Sequence, residues 1–305
     1  MPLAIVRRIV QAIPTMLLVS VAVFVIIRLI PGDPAAAMAG SDASKATLAA
    51  IRAHLGLDEP IYVQYWDWLQ GALSGNLGTS LSTHRPVSME VAPRALFSFQ
   101  LVGMSMLLAV VVGVGTGMVA AYRRGGLVDR LTGAANMLFI SVPTYWVGLM
   151  LILLFAVHLD ILPAGGNETY TALILPVIVL ALPQIGMLAQ LTRGAFTETL
   201  ALEYVQFARQ KGVRERRILL RHALPNCGVT ILSFAGVQLG HLLAGAVVVE
   251  VVFALPGLGR LAVNSLLVRD LPLVQGTILV FAVAVVLINL VTDILYSVID
   301  PRIEA

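Results

Sequence analysis

Two carboxylic acids lie within strongly apolar stretches of this sequence, and they are its first candidates for chemistry. Glu250 ends the run LLAGAVVVE, and Asp293 ends the run LVFAVAVVLINLVTD. A charge inside a bilayer costs a few kcal/mol on insertion scales, so intramembrane acids usually face the protein interior and relay protons or line a solute path. Both acids are near the ends of their runs, and the alternative is that each reaches water or pairs locally.

Polar side chains recur near these acids at helical spacing. Gln238 and His241 are three residues apart, and Asn289 precedes Asp293 by four, so each pair shares one helix face. Such faces look inward, either onto a pathway or onto neighbouring helices, and the spacing does not separate the two. The candidate pathway-lining residues are Gln238, His241, Glu250, Asn289 and Asp293.

A basic, amphipathic segment over 193–226 lies between two apolar stretches. Segments this rich in arginine stay on the cytoplasmic side of a membrane. The pattern predicts one helix over 200–210 with Leu202, Val205 and Phe207 toward apolar surroundings. Gly212 then ends this helix, a second basic helix covers 213–222, and Pro225 starts the next span. The basic residues of the segment are Arg193, Arg209, Lys211, Arg214, Arg216, Arg217 and Arg221.

Composition identifies the class of protein that carries these residues. Of 305 residues, 58% are hydrophobic and 12% charged, against about 25% charged in soluble domains, and the mean hydropathy is +0.91. The sequence therefore predicts an integral membrane protein. Cys227 is the only cysteine, and the five histidines lack metal-ligand spacing. We expect no metal, no cofactor and no nucleic-acid partner.

Apolar windows long enough to cross a bilayer predict an all-α, polytopic fold with about six transmembrane helices. The chain is predicted as a single domain over 1–305, with a first span at 9–30, an extracytoplasmic segment at 31–97 and core spans within 98–297. The excess of arginine and lysine places both termini in the cytoplasm. The six windows are 9–30, 98–122, 132–157, 171–191, 227–252 and 275–297.

Aromatic residues crowd one part of the extracytoplasmic segment. Tyr62, Tyr65, Trp66 and Trp68 all lie within the run IYVQYWDWLQGAL. Tyrosine and tryptophan favour the membrane–water interface. The run is interpreted either as a helical cap anchored on the outer leaflet or as a docking surface for an external partner.

The segment over 193–226 resembles the coupling segment of permease subunits of ABC importers. The runs EYVQFARQKGV and HALPN carry the resemblance, although Gln206, Phe207 and His222 depart from the general motif. These departures resemble the dipeptide/oligopeptide/nickel branch, as do RLIPGDP, LGLDEPIYVQY, NLGTS, VVEVVFALPGLGRL, RDLPLVQ and DPR. The predicted coupling residues are Glu203, Tyr204, Ala208, Arg209, Lys211, Gly212, His222, Leu224, Pro225 and Asn226.

The resemblance implies a fold and a set of partners. It implies the type I ABC importer permease fold in the inner membrane of a prokaryote. A second homologous permease, two cytoplasmic ATPase subunits and an extracytoplasmic binding protein complete the transporter, with ATP and Mg on the ATPases. Neither Lys45 nor Lys211 lies in a phosphate-binding loop, so this chain is not expected to be an enzyme. Di- or oligopeptides are the expected cargo, with nickel, glutathione or another small solute as alternatives.

Two other classes of protein compete with the importer permease. A secondary carrier would use Glu250 or Asp293 as a proton relay, but the sequence has no evident repeat and the basic segment would have no role. A membrane-embedded enzyme would need paired acids, a nucleophile with a base, or a metal cluster at one depth, and no such group is evident.

Overall fold

The computed structural model describes residues 2–29, 44–54, 56, 58–166 and 169–299. Within these residues the chain is helical, and the only strand-like pairing is an isolated bridge between Thr79 and Pro86. The helices are α1 (Pro2–Leu29), α2 (Lys45–His54), α3 (Ile61–Leu73), α4 (Val87–Tyr122), α5 (Leu127–Ser141), α6 (Thr144–Leu151, continued by a π-helical turn at Ile152–His158), α7 (Ile174–Leu200, preceded by a 3-10 turn at Tyr170–Leu173), α8 (Glu203–Gln210), α9 (Glu215–Arg217, continued by a π-helical turn at Ile218–Ala223), α10 (Leu224–Val252), α11 (Leu258–Leu267) and α12 (Leu271–Ile299).

The predicted polytopic all-α fold is confirmed. In the described part of the chain, five helices are long and apolar enough to cross a membrane, and a sixth span is completed if α5 and the helix Thr144–His158 are counted together. The window predicted at 132–157 is not one continuous helix, because these two helices meet at an angle of 101°. The bend falls at Val142 and Pro143. Proline donates no backbone hydrogen bond, and it disfavours helical backbone at the residue before it.

Contacts within the chain group into two compact units. The core unit contains Ser98–Leu255, together with the residues up to Arg8 and those from Ile288 onward. The N-terminal unit contains Ile9–Phe97 and Pro256–Leu287. Helices α1, α4 and α12 each pass from one unit into the other, and the prediction of one domain over 1–305 stays a prediction.

Helix α7 is the centre of the core unit, where it packs against both α5 and α10. More than half of its residues are buried, because neighbouring helices approach it closely. A Cβ atom added to Gly117 of α4 would lie 2.5 Å from the Ala189 carbonyl oxygen, and one added to Gly186 would lie 2.8 Å from the Asn136 carbonyl oxygen. Glycine at these crossings lets the helix backbones touch, as in membrane helix pairs generally.

The N-terminal unit is built around the start of α4. Val87, Val91, Leu258 and Leu273 are buried together in one apolar cluster. Beside the cluster, Asp270 precedes α12 and is 1% exposed. Its carboxylate accepts hydrogen bonds from the hydroxyls of Ser80 (2.6 Å) and Ser82 (2.7 Å) and from the backbone N–H of Leu273 (3.2 Å). One carboxylate thus caps α12 and holds the loop before α4.

Asp270→Asn is expected to destabilise the protein only where the native carboxylate is ionised. Burial alone raises the pKa of Asp270, but hydrogen bonds from Ser80 and Ser82 outweigh it and hold the pKa below its usual value. A lowered pKa stabilises the fold above the unfolded-state value of about 3.9, and that stabilisation is lost as pH falls through the folded-state pKa. We expect a loss of about 1–3 kcal/mol near neutral pH, shrinking below about pH 4.

Thermal unfolding in detergent across pH measures this effect. Asp67→Asn, at an exposed acid of the same unit, is the matched control and should leave the melting temperature unchanged. An equal deficit of Asp270→Asn at neutral and at acid pH would show that the ionised carboxylate is not what stabilises this contact.

Candidate coupling segment and pathway residues

Helix α8 projects from the core unit between α7 and α10, and buried apolar side chains fix its position. Val205 of α8 and Ile218, just after α9, are both fully buried. The Gln206 side-chain amide donates to the Leu200 carbonyl at the end of α7, at 3.0 Å. These contacts attach α8 to the helices on both sides, so a force on α8 reaches both.

The turn after α8 requires glycine. Gly212 has a φ of +73°, in the left-handed region where a side chain is strained. Its N–H donates to the Arg209 carbonyl (2.9 Å), and the N–H of Val213 donates to the Ala208 carbonyl (3.2 Å). A left-handed glycine after the last turn is a common way of ending a helix. The predicted break at Gly212 is confirmed, and the motif positions of Ala208 and Gly212 have a structural explanation.

Two sets of side-chain contacts connect α8 to the helices that follow it. The Arg209 guanidinium donates to both carboxylate oxygens of Glu215, at 2.8 and 3.2 Å, which bridges α8 and α9. The Asn226 side-chain amide donates to the Tyr204 hydroxyl at 2.5 Å and to the His222 carbonyl at 2.9 Å. Tyr204, His222 and Asn226, which sequence analysis placed in the coupling segment, therefore join α8 to the start of α10.

The predicted second basic helix, separate from the next span, is wrong in one respect. The helix begins at Glu215, two residues later than predicted, and runs to Val252 without a break. Pro225 has no N–H to donate, and a π-helical turn at Ile218–Ala223 immediately precedes it. Such wider turns occur where the regular hydrogen-bond ladder is interrupted. Leu224 and Pro225 thus lie inside a continuous helix.

Apolar and cationic side chains are exposed together on this segment, and we call them the docking face. Of the three residues predicted to face apolar surroundings, Val205 is buried, whereas Leu202 and Phe207 are 49% and 56% exposed. The Lys211 ammonium lies 4.5 Å from the centre of the Phe207 ring. The docking face comprises Leu202, Tyr204, Phe207, Lys211, Arg214, Arg216, Arg217, Leu220 and Arg221.

An ion pair that sequence analysis missed lies near the start of the basic segment. The Arg193 guanidinium donates to both carboxylate oxygens of Asp129, at 2.5 and 2.8 Å. Asp129 is 7% exposed and the Arg193 side chain 42%. The pair joins α5 to α7 at one side of a polar cleft of about 450 Å³, which Asn136 and Gln190 also line. Asp129 gave no sequence signal because its partner is 64 residues away.

Gln238 and His241 differ in their surroundings despite their helical spacing. Gln238 is buried, and its amide donates to the Gln184 side-chain oxygen (2.8 Å) and approaches the Met187 sulfur (3.1 Å). His241 is exposed. Gln238 therefore makes an inter-helix hydrogen bond between α10 and α7 in this structure.

The two intramembrane acids also differ from each other. Glu250 is fully buried and accepts a hydrogen bond from the Ser98 hydroxyl at 2.5 Å, so in this structure it pairs locally rather than reaching water. Asp293 is 57% exposed and pairs with Arg8 at 3.0 Å, and Asn289 is exposed as well. Gln238, Glu250 and Asp293 thus have separate partners, and the role of the five predicted residues as pathway lining stays a prediction.

Sequence comparison assigns nearly the whole chain to one family. Residues 113–305 match the binding-protein-dependent transport system inner membrane component, and residues 1–90 match the N-terminal part of such membrane components. The chain is 40% identical over 300 residues to a glutathione transport system permease protein, GsiC, of Escherichia coli O6:H1, covering 98% of each chain. It is 41% identical over 298 residues to GsiC of Salmonella typhimurium, covering 98% of this chain and 97% of the relative.

A solved structure supports the fold independently. The inward-facing MetNI methionine ABC transporter matches with a TM-score of 0.59 at 16% identity, over 69% of this chain and 96% of that one. This likeness confirms the type I importer permease fold. The family match and the full-length relatives show that the chain is a membrane component of a transport system rather than an enzyme. The chain belongs to the family of inner-membrane components of binding-protein-dependent transport systems.

Proposed function

We propose that this permease couples to cytoplasmic ATPase subunits through the docking face and forms half of the pathway for a peptide-like solute. The observation that carries the proposal is the exposure of Phe207, Lys211 and their neighbours on a helix that is tied firmly to the body of the protein. Exposed apolar surface rimmed by charge marks a protein interaction site. Two ATPases, a second homologous permease and an extracytoplasmic binding protein complete the proposed assembly.

The proposed mechanism is mechanical. Closure of the ATPases around ATP and Mg²⁺ moves α8, and the movement passes to α7 and α10 through the contacts at Val205, Ile218 and Asn226. A small rigid helix transmits displacement better than a loose loop, because packed interfaces shift as bodies. The nucleotide chemistry takes place on the partners.

The proposed orientation follows from the same face. The water-exposed segments of an inner-membrane protein lie on either the cytoplasmic or the opposite side of the membrane, and segments rich in arginine remain in the cytoplasm. The docking face carries five cations, at Lys211, Arg214, Arg216, Arg217 and Arg221, so we place it, and with it both chain termini, in the cytoplasm.

Peptide-like cargo is proposed from the relatives. The GsiC proteins, named for glutathione transport, are 40–41% identical over almost the full length, and glutathione is itself a short peptide. Glutathione and di- or oligopeptides are therefore our first choice, with nickel or another small solute as the alternative within the same class.

Reconstitution tests the proposed function. The permease pair with its ATPases, in vesicles that also contain the binding protein, should take up labelled glutathione or dipeptide only with ATP present. The same vesicles without the ATPases should take up none. Uptake by this chain alone on an ion gradient would instead establish the secondary-carrier alternative.

Thiol labelling tests the proposed pathway. In a Cys227→Ser background, we expect His241→Cys to react with a water-soluble thiol reagent in at least one nucleotide state. Gln238→Cys should react more slowly, because Gln238 is buried against Gln184 in this structure. Complete protection of position 241 in every state would remove that residue from the pathway.

A further inference from the structure

The length of the first span defines the depth of the residues at its C-terminal end. The apolar span Arg7–Ile26 has 20 residues, and at 1.5 Å per residue it matches the hydrocarbon thickness of about 30 Å. With Ile26 at the boundary, Ser20 lies about 9 Å inside it and Phe24 about 3 Å inside it. Arg28 lies about 3 Å outside it.

Helix α3 packs against these residues. The hydroxyls of Tyr65 and Ser20 are 2.8 Å apart, and the Tyr65 ring is 5.3 Å from the Phe24 ring between centroids. Gln64 accepts a hydrogen bond from Arg28. The contacts therefore extend from inside the hydrocarbon boundary to just outside it. Amphipathic helices that lie in a membrane interface are buried to a similar depth, roughly 5–10 Å.

The surface of α3 that does not contact α1 is divided into an apolar stripe and a polar side. Tyr62, Trp66 and Leu73 follow one another at i, i+4 and i+11, which aligns them on one face. They are 71%, 57% and 80% exposed. Asp67 is exposed about 100° around the helix from Trp66, on a different face. The helix thus has one side for α1, one apolar side and one polar side.

We propose that α3 is an interfacial helix that binds phospholipid through Tyr62, Trp66 and Leu73, with Asp67 directed to the headgroups and water. Rings with an apolar body and a polar edge suit this depth, because one part contacts acyl chains while the other hydrogen-bonds at the headgroup level. Under the proposed orientation this is the outer leaflet. The helix would hold the extracytoplasmic segment at a fixed height above the bilayer, independently of any bound protein.

Photo-crosslinking in native membranes tests this proposal in the assembled transporter. Trp66→benzoylphenylalanine places a photoreactive group on the apolar stripe, and mass spectrometry of the irradiated chain identifies what it has captured. We expect a covalent phospholipid adduct. The matched control, Asp67→benzoylphenylalanine, is one residue away on the polar side and should lose most or all of that adduct.

A second position keeps the test decisive if the variant at Trp66 does not assemble. Leu73→benzoylphenylalanine lies on the same stripe and is expected to capture lipid as well. Capture of a protein chain by the stripe would overturn the proposal and make the stripe a docking surface. Equal lipid capture at positions 66 and 67, or none at 66 and 73, would also overturn it. The readout does not depend on cargo or on coupling, so it is separate from the proposed function.

Discussion

Replacing Phe207 with aspartate is expected to abolish ATP-driven uptake while the chain still inserts and folds. The Phe207 ring is 56% exposed, whereas Val205 is the buried residue that fixes the position of α8. Aromatic residues at the centre of an interface commonly contribute 2 kcal/mol or more. A carboxylate at this position would therefore weaken docking of the ATPase by roughly 30-fold or more. Copurification of the ATPases and uptake into vesicles measure the two effects together.

Matched variants separate docking from folding. Gln210→Ala changes an exposed residue at the end of the same helix and should retain uptake. Val205→Asp should instead reduce the amount of folded protein, because Val205 is fully buried. Normal ATPase binding and normal uptake by the Phe207→Asp variant would contradict the proposed docking face.

Removing Arg193 is expected to destabilise the protein more than removing its partner Asp129. In Arg193→Met, Asp129 is left charged at 7% exposure, and breaking a buried pair in this way costs about 3–5 kcal/mol. In Asp129→Asn, the remaining guanidinium reaches water, because its side chain is 42% exposed. We therefore expect a smaller loss, on the order of 1 kcal/mol, as for pairs near a surface.

Thermal melting followed by circular dichroism in detergent measures the asymmetry. At about 2–4 °C per kcal/mol for a domain of 150–250 residues, Arg193→Met should melt at least about 6 °C below the native chain. The exchange Asp129→Arg with Arg193→Asp should recover part of the loss, since it restores opposite charges across the contact. Equal losses from the two single variants would contradict the expectation that the buried carboxylate, left without its guanidinium partner, is what destabilises Arg193→Met.

The spans illustrate which structural features an apolar pattern predicts and which it does not. A run of about 20 apolar residues has one favourable state in a bilayer, a helix, because every backbone polar group must be satisfied within the segment. Five of the predicted windows contain one long helix each. The window 132–157 contains Pro143, and sequence alone did not show whether neighbouring helices would straighten the chain there or let it bend.

In the coupling segment, too, some properties follow from the local sequence and others from tertiary contacts. Sequence alone determined its basic character, its break at Gly212 and its family, because charge content, glycine conformation and motif spacing are local properties. Only the tertiary structure decided that Phe207 is exposed while Val205 is buried, and that Glu250 is buried and hydrogen-bonded to Ser98. Only the tertiary structure paired Arg193 with Asp129. Burial and ion pairing depend on which helices meet. Arg193 and Asp129 are 64 positions apart in the chain, and Ser98 and Glu250 are 152 positions apart, so neither pair can be recognised from the sequence before the helices pack.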